Sequence, residues 1–208
     1  MVFERQEHAR LSVRSALSFA RLELRGFAPR FFALLAGWVG VWFVVEAIVI
    51  GSGASPGRPV WLVVHLSYFL GTSFFEAAII DHALAARDQR NPATWHVLRD
   101  FSLAVRFTIV KLVLLPFVLF GLALLLLPGA FLLGRFGYVF FILVDHRTEI
   151  ADSLRATGDA VQGRLGKLTW ISLFLVLLNV TGAALLGVGL LLTIPMTALA
   201  TVFVYRSR

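Results

Sequence analysis

The sequence predicts an all-α, polytopic membrane helix bundle of about six transmembrane helices, with cytoplasmic amphipathic interfacial helices between them. Three observations predict it. Hydrophobic residues make up 59% of the 208 and charged residues only 15%, against roughly 45–50% and 25% in soluble domains. A soluble fold of this size has too little interior to hide that much apolar surface. The apolar residues also gather into runs close to the ~20 needed to cross ~30 Å of hydrocarbon. Finally, the basic residues fall in alternate connections between those runs, as membrane topology demands.

The first element is a basic amphipathic segment over residues 1–30. Val13, Leu17, Ala20, Leu24 and Phe27 recur at helical spacing, while Arg10, Arg14, Arg21 and Arg25 recur on another face. A helix of that kind lies along an anionic leaflet. Its charges also interrupt any signal-peptide core, so the first span is expected to act as an uncleaved membrane signal. The remainder, 31–208, reads as the bundle. Span one covers about 31–50 and span two 60–80, joined by a Gly/Ser/Pro-rich loop. Asn91-Pro92 reads as an N-cap with Pro at N1, opening a second amphipathic segment that carries Trp95. Span three covers 108–127; Pro128-Gly129 reverses the chain, and span four runs over 129–144. A third amphipathic segment from Thr148 to Gly163 has acids early and bases late, matching the helix macrodipole. Span five covers 168–186, Gly187-Val-Gly189 turns the chain, and span six covers 190–205.

Orientation follows from arginine. Six arginines precede span one; Arg87, Arg90 and Arg99 lie between spans two and three, and Arg147, Arg155, Arg164 and Lys167 between four and five. The three opposite loops hold Arg58 alone. By the positive-inside rule both termini are expected to be cytoplasmic, and arginine outnumbering lysine 17 to 2 points to a GC-rich bacterial genome. The net charge of +7 is therefore read as topology and lipid contact, not as a nucleic-acid surface. An amphipathic segment precedes each hairpin of spans, three times over. Ile79-Ile80-Asp81-His82 and Leu143-Val144-Asp145-His146 echo one another at the ends of two of them.

From Pro128 onward a further pattern appears. A Leu126-Leu-Pro-Gly129 turn, a span ending in Val144-Asp145, and Ala151-Asp-Ser-Leu-Arg-Ala-Thr157 occur in that order. Gly163, a span, Gly187-Val-Gly189, Thr193-Ile-Pro195 and Tyr205 follow. Over about residues 75–205 this order resembles the YciC-type family of bacterial inner-membrane proteins, and the membrane domain attached to some glycerophosphodiester phosphodiesterases. The resemblance implies a six-helix inner-membrane domain. The phosphodiesterases carry their chemistry in a separate soluble barrel, so that activity does not carry over.

Ionisable residues inside spans are costly and mark candidate sites. Glu46, His65 and Arg135 fall at similar depth near the outer surface and form a candidate polar trio, either a gate for an ion or a mutually neutralising set. At the inner boundary, Glu76 is expected to pair with Arg106 or Lys111. The doubled Asp-His dipeptides are poor chelators, because adjacent helical residues diverge by about 100°, and no metal is assigned. Thr193, Thr197 and Thr201 share a face around Pro195, and Asn179 is expected to bond between helices.

There are no cysteines, which removes disulfides and thiolate sites. No hydrolase elbow, zinc-protease motif, phosphate loop or dinucleotide fingerprint is present, so no enzyme activity and no cofactor are expected. The expected function is a non-catalytic accessory or scaffold protein. It binds lipids with an anionic inner leaflet and other membrane proteins or its own copies. The alternative is a small transporter or channel for an ion or small anion.

Overall fold

A computed structural model describes residues 12–53, 59–184 and 189–207, and among these the secondary structure is entirely helical. In chain order the helices are α1 (Val13–Gly51), α2 (Pro59–Asp88), α3 (Thr94–Arg99), α4 (Phe101–Leu125) and α5 (Leu127–Phe136). They are followed by α6 (Tyr138–His146), α7 (Ile150–Val161), α8 (Leu165–Ala184) and α9 (Leu190–Arg206). Among the described residues five stretches are long and apolar enough to cross a membrane, with α5 and α6 counted as one. α9 has 17 residues, or about 25 Å at 1.5 Å each, slightly short of the ~30 Å core. We call the end holding Val13, Asp88 and Arg206 basal, and the end holding Gly51, Leu125 and Ala184 apical.

The interfacial segment and span one, expected as separate elements, form a single helix of 39 residues that runs through Pro29. Ser12 caps it, accepting a hydrogen bond from the Ser15 backbone N–H at 3.1 Å. Proline costs the Arg25 carbonyl its helical donor, but packing holds the helix together across that gap. Ala16, Phe19, Ala20, Phe27 and Phe31 are all buried, and the Phe19 ring lies 5.3 Å from that of Phe203 on α9. The apolar face of the segment therefore meets protein, which corrects the expectation that it meets the bilayer. Arg14, Arg21 and Arg25 are exposed; Arg10 lies outside the described residues.

Other boundaries shift for local reasons. α3 begins at Thr94 rather than at Asn91-Pro92. α4 begins at Phe101, well before residue 108, because the Asp100 carboxylate accepts from the Leu103 N–H at 2.9 Å and caps it. The reversal expected at Pro128-Gly129 occurs at Leu126, whose φ is +60°. Pro128 sits in the first turn of α5, where its missing N–H is harmless. Span four is two helices meeting at Gly137.

Glycine sets the closest approaches. A Cβ on Gly129 would meet the side chain and backbone of Leu122, and one on Gly121 would lie 2.7 Å from the Gly129 nitrogen. The last hairpin repeats this device: a Cβ on Gly189 would lie 2.6 Å from the Gly182 carbonyl oxygen. Gly134 approaches α8 at Thr169 in the same way, so the Ala130/Gly134 face is used as small residues allow. Ala183 is exposed, and Gly187 lies outside the described residues; the tight contact belongs to Gly182 and Gly189.

Burial is graded along the bundle. The core is basal, where Ala77, Ala78, Ala83 and Leu84 of α2 pack with Val139, Leu143, Leu199 and Val202. Toward the apical end, the consecutive residues Val41, Trp42, Phe43 and Val44 of α1 are all exposed. Four successive helical positions cover most of a turn, so that part of α1 presents apolar surface nearly all round.

Candidate functional site

Polar side chains gather at three levels. The apical level holds part of the expected trio. His65 Nε2 lies 3.8 Å from Glu46 Oε1, an ion-pair distance but too long for a hydrogen bond. His65 Nδ1 is 2.9 Å from the Trp61 carbonyl, and its ring stacks on Trp61 at 4.1 Å. Arg135 is not with them. It is exposed on α5, its guanidinium is 5.5 Å from the Phe136 ring, and it makes no ion pair among the described residues. The physical reason is partner choice: α5 packs chiefly on α4 and α8, whereas Glu46 belongs to the α1–α2 hairpin.

At the intermediate level Glu76 takes Lys111, not Arg106. Lys111 Nζ donates to Glu76 Oε1 at 2.9 Å, to Oε2 at 3.0 Å and to Thr72 Oγ1 at 2.7 Å, and lies 4.3 Å from the Phe69 ring. The ammonium is thus almost wholly buried yet fully partnered. Arg106 points basally instead. Its Nη1 donates to the Arg147 and Thr148 carbonyls and to Glu149, tying α4 to the turn after α6. Beside the Glu76–Lys111 pair lies a cavity of about 450 Å³. Its wall is apolar, with Ile80, Leu114, Val118, Leu133, Phe140 and Ile194 around it.

The basal level was not foreseen. Arg206, near the chain end, holds two carboxylates from two other helices. Its Nε and Nη2 donate to Asp88 at 3.0 and 2.6 Å, and Nη1 and Nη2 donate to Asp145 at 2.5 and 2.9 Å. Tyr205 adds a phenol hydrogen bond of 2.9 Å to Asp145. Burial alone would weaken the arginine's hold on its proton, but the hydrogen bonds to Asp145 and Asp88 outweigh it and keep the guanidinium charged. Asp81, the echo of Asp145, pairs with Arg90 at 2.8 Å instead. His82 Nδ1 lies 3.1 Å from both the Ala78 carbonyl and the Thr94 hydroxyl. Asp81 and His82 therefore tie α2 to the segment that follows it, and Asp145 ties α6 to α9, while His146 lies 3.4 Å from its neighbour Asp145. The sequence signal was available: two acids and an arginine, each just past the end of an apolar run on its own helix.

Comparison with protein families, characterised proteins and solved structures gives no match.

The apical halves of α8 and α9 hold Asn179, Thr193 and Thr197, and Thr201 follows one turn below. Asn179 Nδ2 donates to Thr197 Oγ1 at 2.9 Å, bridging the two helices as expected, and Thr201 donates to the Thr197 carbonyl. Pro195 is buried within α9. The Thr197 and Thr201 hydroxyls are thus taken up by internal bonds, the cheap solution in hydrocarbon, whereas the buried Thr193 hydroxyl makes no hydrogen bond among the described residues.

Proposed function

We propose that this chain is a non-catalytic, multi-pass protein of a bacterial inner membrane that serves as an accessory or scaffold component. In this reading the six-span count stands, α9 crosses with a slight thinning of the bilayer, and the basal end is cytoplasmic. Arg14, Arg21 and Arg25 then face the anionic inner leaflet, and partners are other membrane proteins or further copies.

The carrying observation is how the polar groups are disposed. Glu76 and Lys111 close on each other, and Glu46 faces His65, while Arg135 stands apart. The strongest polar assembly, Arg206 with Asp88 and Asp145, ties three helices at one end instead of lining a path between the two ends. Meanwhile the apical part of α1 turns a nearly all-round apolar surface outward. That combination suits a molecule that holds its own base rigid and offers its spans to neighbours. The YciC-like order of motifs is compatible with this role.

The deciding experiment sets scaffold against transport. The protein is reconstituted in liposomes and assayed for proton, chloride and phosphate flux, and in parallel crosslinked in its native membrane. The scaffold reading expects no flux above empty liposomes and a stoichiometric crosslinked membrane partner through α1. Flux that vanishes in Glu46→Gln or Arg135→Ala, with the fold intact, overturns it in favour of transport.

A further inference from the structure

We propose that the cavity beside Glu76 and Lys111 is a binding site for a single-chain lipid with an uncharged hydroxyl head, such as a long-chain alcohol or a monoacylglycerol. The inference is independent of the scaffold role and requires only that α2 and α4 cross the bilayer.

The chain length and environment come first. About 450 Å³ lies in the lower part of the range for one small ligand, ~300–1,000 Å³. Leu115 and Ile194 on its wall are exposed on the outer surface of the bundle, so an acyl chain enters sideways from the bilayer. Apart from the ion pair, the residues around the cavity are apolar and come from α2, α4, α5, α6 and α9.

The head group follows from donors and acceptors. An ammonium has three protons, and those of Lys111 go to Thr72 and to both oxygens of Glu76. No donor is left for a phosphate or carboxylate head. The Glu76 carboxylate, in contrast, has about four acceptor positions and a side chain 42% exposed beside the cavity. The spare capacity of the site is therefore acceptor capacity. It selects a ligand that donates.

Charge and depth narrow this to a neutral donor. The pair is neutral overall, so it gives an ammonium head little net attraction. Glu76 lies about 26 Å along α2 from Pro59, and Lys111 about 21 Å along α4 from Leu125. Both are thus several ångströms inside a ~30 Å hydrocarbon layer. A phosphate-linked head stays outside that boundary, whereas a hydroxyl can be drawn beneath it if an acceptor waits there.

The test uses the full-length protein in nanodiscs and a hexadecanol bearing a diazirine at mid-chain. Irradiation is expected to label the peptides holding Phe107, Leu114 and Phe140. Unlabelled hexadecanol should compete about tenfold better than hexadecane or hexadecanesulfonate, the discrimination one hydrogen bond to a charged acceptor provides. Equal competition by hexadecane would mean an unselective apolar surface, and better competition by the sulfonate would mean a cation site; either overturns the proposal. So would equal labelling of the exposed Val60, Leu62 and Val63. The double variant Glu76→Ala/Lys111→Ala, which removes both charges together, should keep labelling in the cavity but erase the preference for the alcohol. Leu114→Trp should fill the cavity and abolish labelling. The competition series on the unaltered protein stands even if either variant fails to fold.

Discussion

Arg206→Ala removes the one guanidinium that two carboxylates on different helices share. Four hydrogen bonds go with it. Breaking a buried ion pair by deleting one partner costs roughly 3–5 kcal/mol, because the remaining charge stays desolvated. Asp145 is only 12% exposed and keeps the Tyr205 hydroxyl and the His146 ring at 3.4 Å, which argues for most of the cost; Asp88, at 29%, keeps Arg90 at 3.8 Å and regains water, which lowers it. The expected loss is about 3 kcal/mol. It is read as a shift in the midpoint of SDS-induced unfolding, followed by circular dichroism in mixed micelles. A double-mutant cycle with Asp145→Asn isolates the contact, and the coupling should exceed about 1 kcal/mol. A single-mutant loss below ~0.5 kcal/mol, typical of surface changes, would refute the clamp. So would a cycle that adds within ~0.3–0.5 kcal/mol.

Further expectations follow from the same geometry. Lys111→Met should destabilise by about 1–2 kcal/mol, below the cost for a fully buried pair because the stranded Glu76 side chain is 42% exposed, and Glu76→Gln/Lys111→Met should recover most of it, checked by the same titration; no recovery would deny the pairing. Gly182→Val should cost about 1–3 kcal/mol or more through overpacking against Thr193 and Gly189. Gly26→Ala, with open space around its Cβ, should be neutral or stabilise by up to ~1 kcal/mol. Because the chain has no cysteine, single substitutions report topology cleanly. Ser52→Cys should react with an impermeant maleimide in intact cells, and Gln162→Cys only after permeabilisation; the reverse pattern would invert the bundle.

Much of the architecture is legible in the sequence because hydrocarbon is a demanding solvent. A backbone crossing it must satisfy every N–H and C=O internally, so each long apolar run is a helix wherever its neighbours lie. That is why runs near 31–50, 60–80, 129–144 and 168–186 appear as helices at nearly those positions. Glu76 with Lys111 and Asn179 with Thr197 were also within reach, since depth along a span restricts who can meet whom. Depth does not fix azimuth. Arg135 was expected at the height of Glu46 but lies on a helix that packs on α4 and α8, and Arg106 chose the turn after α6 over Glu76.

What the sequence alone determined is therefore the helices and their approximate length. Those are properties of a segment and its solvent. Only the tertiary structure decided that Ala16, Phe19 and Phe27 lie on protein rather than lipid, since an amphipathic face is satisfied equally by either. It alone brought Arg206 to Asp88 and Asp145, because three helix ends distant in the chain meet only when packing sets their order around the bundle.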